Sequence, residues 1–270
     1  MATVAQALVA AREFGVDRLD AHLILAWQLG QSRSWLFAHD DAALDAPQAA
    51  AIHAALVRRA TGEPLAYLLG EKEFHGLLLK VDSNVLVPRP DTELLVDWAL
   101  EQLAGVTMPR VVDLGTGSGA IALAVKHARP DALVLATDAS PAALDVARVN
   151  AHRLALDVAF AQGSWWSALD DQRFDLVLSN PPYIAGSDPH LAALTHEPAL
   201  ALTPGGDGLD ALREIIDGAA ARMADGAWLL LEHGYDQAEP VQALMRERGF
   251  AEIATRRDLG GQPRCTGARR

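Results

Sequence analysis

The 270-residue sequence predicts an α/β protein: a mostly parallel sheet with helices on both faces, preceded by a small helical domain. Two observations carry that prediction. From residue 110 onward, short apolar runs alternate with amphipathic stretches of helical length, the pattern of consecutive strands joined by covering helices. Residues 1–62, by contrast, repeat apolar residues at spacings of three and four with no strand-like run. The expected division is a helical domain over 1–62, a β-hairpin linker over 63–90 and a larger α/β domain over 91–270.

In chain order, Leu8, Phe14, Leu19, Leu23, Leu25, Leu29, Leu36, Leu44, Ile52, Leu56 and Val57 mark the helical faces of the first domain. Gly15, Gly30 and Pro47 break them, which gives about four or five short helices. His22, His39 and His53 are isolated and are read as surface or packing residues. EKEFH and LLLKV on either side of Gly76 form a hairpin pattern. Asp91 is placed to cap a helix over about 91–104 that buries Leu94, Leu95, Trp98 and Leu100. Strands are expected at 110–114, 132–137, 158–161, 174–179 and 227–232, and helices near 119–128, 140–154, 208–223 and 236–247.

Half of the residues are hydrophobic, as a packed globular protein requires. The N-terminus lacks a basic start followed by an unbroken apolar run, and no later apolar run has the length a bilayer demands, so a soluble cytoplasmic protein is expected. A single cysteine, Cys265, excludes an internal disulfide and a cysteine-based metal cluster. The net charge of −12 is concentrated in residues 63–250, with 13 Lys and Arg against 27 Asp and Glu. Phosphate-driven binding of nucleic acid calls for clustered Lys and Arg, so naked DNA or RNA is a poor fit as substrate.

Ligands of such sheets bind beyond the carboxyl ends of the strands, and the chemistry-bearing residues fall there. Gly115-Thr116-Gly117-Ser118-Gly119 follows the strand VVDL and precedes a helix, where glycines let the backbone approach a ligand closely. Asp138 ends the next strand. Its carboxylate can take both hydrogens of a ribose diol, or serve only as the negative charge at the start of the following helix. Two details favour S-adenosylmethionine over a dinucleotide. Asp113 would fix the loop or meet an ammonium group but would repel a pyrophosphate, and Trp165 offers a face for an adenine ring, while Trp166 is read as core.

The fourth strand, FDLVLS, delivers Asn180-Pro181-Pro182-Tyr183 to the same rim. A primary amide accepts through its oxygen, and proline lacks an N–H but keeps its carbonyl. The Asn180 oxygen and the Pro181 carbonyl can therefore hold both hydrogens of a substrate NH2 group, with Tyr183 covering its plane. An amide nitrogen is barely basic, so orientation and acceptors matter more than a general base. The alternative is that NPPY is only a rigid turn.

Several stretches together resemble the peptide chain release factor N5-glutamine methyltransferases, the HemK/PrmC family. They are EPLAYLLGEKEFHGLLLKV, VLVPRPDTELLV, VVDLGTGSGAIALAV, TDASPAALDVARVNA, SNPPYI, EPALAL and GGDGL. The resemblance implies a Rossmann-like, seven-stranded class I methyltransferase domain, a hairpin linker and a helical N-terminal domain that engages the release factor. It implies S-adenosylmethionine on Gly115 to Gly119, Asp138, Trp165 and Asn180. It also implies substrate glutamine, from the Gly-Gly-Gln tripeptide of a release factor, on Asn180, Pro181, Pro182 and Tyr183. No metal, membrane or direct nucleic-acid partner is expected, and a monomer is. The tail departs from the family pattern, with RCTGARR where a more apolar final strand is usual. Gly260-Gly261-Gln262 within that tail is read as a turn. Two other readings stand beside the leading one: an adenine-N6 nucleic-acid methyltransferase, which shares NPPY, and a catalytically silent binding protein of the same fold. A nicotinamide oxidoreductase would leave NPPY unexplained.

Overall fold

The computed structural model describes residues 2–270. The chain divides into two compact units, Met1–Glu71 and Lys72–Arg270. The first holds helices α1 (Val4–Glu13), α2 (Arg18–Leu29), α3 (Arg33–Ala38), α4 (Ala46–Ala60) and α5 (Leu65–Leu69). The starts of α1 to α4 are fixed by side chains that satisfy the first free amides. Thr3 and Gln6 form a reciprocal capping box on α1, and Asp45 and Gln48 form one on α4. Leu25, Leu36, Ile52, Leu56 and Leu68 close the core of this unit. The histidines pack as the sequence suggests: His22 stacks on Phe37, His39 on Trp35, and His53 meets Phe14 edge-on.

The second unit opens with the hairpin β1 (Glu71–Phe74) and β2 (Leu77–Lys80), then an irregular stretch and a 3₁₀ turn at Pro90–Thr92. The stretch 63–90 is thus apportioned: α5 packs with the helical core, and the hairpin lies beside the sheet. Next come α6 (Glu93–Gln102), β3 (Arg110–Leu114), α7 (Ala120–Ala128), β4 (Leu133–Asp138), α8 (Pro141–Leu154), β5 (Ala159–Gln162) and β6 (Phe174–Ser179). The chain finishes with α9 (Ala199–Leu202), α10 (Asp210–Arg222), β7 (Met223–Glu232), α11 (Ala238–Glu247), β8 (Ala251–Arg257) and β9 (Pro263–Arg269). Asp91 does not cap α6; Thr92 occupies that position without a side-chain cap, and the Asp91 carboxylate lies 3.6 Å from Arg264.

The sheet has seven strands in the order β5-β4-β3-β6-β7-β9-β8. Its first five strands are parallel, and β9 runs antiparallel between β7 and β8. Strand alternation sorts the core into two layers. Val111, Leu176, Leu178 and Leu230 pack with α6 and α7, whereas Val112, Leu114, Val177, Leu229 and Leu231 pack with α10 and α11. The tail forms a full strand despite its composition, because Cys265, Thr266 and Ala268 are buried. A Cβ on Gly267 would lie 2.5 Å from Leu230 and 2.6 Å from Trp98, so the small residue there is what lets β9 pass beneath the tryptophan. Strand order reverses at β3, with β4 on one side and β6 on the other, which opens a crevice at their carboxyl ends.

Candidate active site

A cavity of about 600 Å³ occupies that crevice. Gly115, Thr116, Gly117 and Ser118 line it from the β3 end, Asp138 from the β4 end, Trp165 from the loop after β5, and Asn180 and Pro182 from the β6 end. Asp113, Gly119, Pro181 and Tyr183 do not line it.

The glycine loop is held from three sides. Thr137 O of β4 accepts from Gly115 N and Thr116 N at 2.9 and 2.8 Å. Behind the loop, the wholly buried Asp113 accepts from Thr116 Oγ1 at 2.6 Å and from Ala122 N at 3.2 Å. Burial pushes its carboxyl up to about 7, against the pull of those two donors. Of the two roles open to Asp113, this geometry favours fixing the loop. Asn150 of α8 is a residue the sequence reading passed over: its Nδ2 donates to Ser118 O and Lys80 O, and its Oδ1 accepts from Lys80 N. Gly115 has φ +74°, and a Cβ there would lie 3.1 Å from the Trp165 ring, so only glycine lets the indole close over the loop.

Asp138 sits at the start of α8, as one of its two expected roles requires. Its Oδ2 accepts from Gly117 N and its Oδ1 from Ser140 N, each at 2.9 Å, which ties the loop to the start of α8. A carboxylate offers about four acceptor sites, more than these two amides fill. Desolvation raises its pKa, with the backbone amides opposing. Trp166 turns away into the core, its Nε1 donating to Glu214 O and Ile215 O, while Trp165 keeps its ring at the cavity.

At the β6 end, Ser179 Oγ donates to Leu114 O at 2.6 Å and clamps the tips of β6 and β3 together. Asn180 borders this cavity, and its Nδ2 donates to Thr92 Oγ1 at 3.2 Å. Tyr183 corrects the expectation of a ring laid over substrate in the main cavity. It lines a smaller neighbouring cavity of about 110 Å³, shared with Arg89, Asn180 and Leu86, and its hydroxyl donates to Glu232 Oε1 at 3.3 Å. Burial and the Glu232 charge push the Tyr183 pKa well up, so it stays a neutral phenol.

Glu232 is buried at the end of β7 with its Oε2 lacking a hydrogen-bond partner. Burial pushes its carboxyl up to about 7, while the Thr92 hydroxyl, the Arg264 charge and the Tyr183 hydroxyl draw it down. Glu197, also buried, accepts from Val87 N at 3.0 Å and pairs with Arg89 Nη2 at 2.5 Å. Both acids escaped the sequence reading because their partners lie far away along the chain.

The donor set fits S-adenosylmethionine. Asp138, Asp210 and Glu214 line the cavity, and Arg89, the only Lys or Arg among the described lining residues, is already matched by Glu197. Such a wall suits a cationic sulfonium and ammonium, whereas a dinucleotide's pyrophosphate would meet no free cation. No group of three His, Cys, Asp or Glu among the described residues is placed to hold a metal ion.

The family model described as Methyltransferase small domain matches residues 90–228, and that described as PrmC N-terminal domain matches residues 2–70. The release factor glutamine methyltransferase of Bordetella pertussis is 50% identical over 256 residues, covering 94% of this chain and 95% of that one. The chain belongs to the release factor glutamine methyltransferase family. Another member, from Xylella fastidiosa, is 48% identical over 263 residues, covering 96% of each chain. The family resemblance read from the motifs is therefore borne out, as is the class I methyltransferase fold. The hMettl16 catalytic domain in complex with MAT2A 3′UTR hairpin 1 shares the fold at a TM-score of 0.61 and 16% identity, covering 83% of this chain and 80% of that one.

Proposed function

We propose that this chain transfers a methyl group from S-adenosylmethionine to the side-chain amide nitrogen of a release-factor glutamine, that of the Gly-Gly-Gln tripeptide. The observation that carries the reading is the Asn180 amide, which borders the cavity and is anchored through its nitrogen on Thr92, so that its oxygen is the end we assign to substrate. When bound, S-adenosylmethionine supplies an electrophilic methyl group on a positively charged sulfur.

The chain's own part is to hold a poor nucleophile in line. Asn180 Oδ1 accepts a hydrogen of the substrate NH2, which orients the nitrogen lone pair toward the methyl donor; Pro181, outside the cavity lining, is given no part in this. Positive charge would grow on that nitrogen as it takes the methyl group, so the Asn180 oxygen would bind its hydrogen more strongly in the transition state than before it. One proton then passes from the nitrogen to solvent water, which restores a neutral N-methyl amide. Asp138 is assigned to the ribose diol, Trp165 to the adenine face, and the Gly115–Gly119 backbone to the amino-acid end. Pro182 walls the substrate side, and Tyr183 borders the smaller cavity where the glutamine stem enters.

A protein partner suits the acidic second unit better than a polyanion does, which weighs against the adenine-N6 alternative that NPPY alone would permit. No described helix is long and apolar enough to cross a membrane. We assign the protein to the cytoplasm, acting as a monomer on its release factor. Incubation with purified release factor and isotopically labelled methyl donor, followed by fragment mass spectrometry, tests the reading. Label on a glutamine side chain supports it, and label on any other residue type refutes it.

A further inference from the structure

The segment VPRPDTE, residues 87–93, carries much of the family resemblance, yet the reading of the site gives its threonine no chemistry. Thr92 ends the 3₁₀ turn before α6, is 4% exposed, and receives the Asn180 Nδ2 hydrogen at 3.2 Å. That contact decides a question Asn180 cannot decide alone. The two ends of a carboxamide have nearly the same shape, and a half-turn about the last side-chain bond exchanges an acceptor for a donor. In one orientation an oxygen faces the substrate nitrogen; in the other an NH2 faces an NH2, and the site repels its substrate.

A threonine hydroxyl has one hydrogen and two lone pairs. Toward Asn180 the Thr92 hydroxyl uses a lone pair, taking the Nδ2 hydrogen at 3.2 Å. The nitrogen end of the amide is thereby selected for Thr92 and the oxygen end for the cavity. We infer that Thr92 is a positioning residue that sets the orientation of the Asn180 amide, so that the threonine, through Asn180, selects an NH2-bearing substrate. This inference rests on the proposed role of Asn180 as the acceptor for the substrate nitrogen.

Thr92→Val keeps the side-chain shape and removes the hydroxyl, and Thr92→Ser keeps the hydroxyl. The inference expects kcat on release factor to fall about ten- to hundredfold in T92V, the range for leaving a buried donor without its partner. Cofactor affinity by calorimetry stays within about twofold, and T92S recovers kcat to within about threefold of the parent. Because Thr92 acts through Asn180, T92V combined with Asn180→Ala should be no slower than N180A alone. A parent-like kcat in T92V, a T92S as slow as T92V, or losses that multiply in the double variant would each overturn it. Thr92→Ala replaces T92V if the valine variant does not fold.

A second readout is independent of turnover: slowed exchange of the Asn180 side-chain NH2 protons by NMR. It is expected in the parent and T92S and lost in T92V; equal exchange in all three overturns the orientation claim. If the parent shows the protected amide but does not methylate release factor, the proposed function fails while the role of Thr92 in fixing the amide stands.

Discussion

Replacing Asn180 by alanine isolates the group on which the proposed chemistry turns. The substitution removes Oδ1, the proposed acceptor, and leaves Thr92 Oγ1 without the donor it now holds at 3.2 Å. The backbone at 180 is fixed independently, by the β6 ladder and by the Ser179 clamp onto Leu114, so the strand end stays in place. Removing one preorganised group aimed at developing charge costs about 2–4 kcal/mol of transition-state stabilisation, or roughly thirtyfold to just under a thousandfold in rate. The loss should appear in kcat more than in cofactor affinity, because Asp138, Trp165 and the glycine loop are untouched. Steady-state kinetics on purified release factor, with calorimetric titration of the cofactor, separates the two. A rate within a few-fold of the parent would show that Asn180 is not the acceptor. A rate loss matched by an equal loss of cofactor affinity would place it in cofactor binding instead.

Three further outcomes follow from buried groups. Asp113 has a folded pKa of about 7 against an ordinary 3.8, so its contribution is fully present below pH 4 and is lost as pH rises through 7. Asp113→Asn should therefore remove a downward slope of up to about 4 kcal/mol between pH 4 and pH 7, read as the difference between parent and variant denaturation curves. An identical slope in both would contradict the burial argument. Glu197→Ala frees Arg89 and strips Val87 N of its acceptor, and should destabilise the protein by about 2–3 kcal/mol in chemical denaturation; an unchanged midpoint would show that the clasp is not structural. Gly218→Ala would place a Cβ 2.2 Å from the Trp166 ring, which its bonds to the α10 backbone hold in place. The overpacking, about 1–3 kcal/mol, outweighs the gain of roughly 1 kcal/mol from helix propensity, so the melting temperature falls rather than rises.

Much of this fold was legible because its signals are local. The β3 to β6 runs, the glycine loop between strand and helix, and the amide after FDLVLS each declare themselves within a dozen residues. Trp165 and Trp166, adjacent and alike in sequence, were assigned opposite directions, and the structure places them so. What escaped depends on distant pairing. Thr92 meets Asn180 across 88 residues, Arg89 meets Glu197 across 108, and Asn150 meets Lys80 across 70. No periodicity reports such partners. Tyr183 was misplaced for a related reason: its hydroxyl is claimed by Glu232 on β7, an acid that reads locally as the polar end of an apolar strand. The last strand was underrated because its fitness lies in smallness, Gly267 under Trp98, rather than in hydrophobicity.

The central claim is that a side-chain amide of a release factor, held by Asn180 at the end of β6, accepts a methyl group. Transfer of labelled methyl from S-adenosylmethionine to purified release factor tests it most directly, with a release factor carrying Gln→Ala in its Gly-Gly-Gln tripeptide and with DNA in parallel. The account predicts label on the intact release factor alone. Label on DNA, or equal label on the Gln→Ala factor, would contradict it.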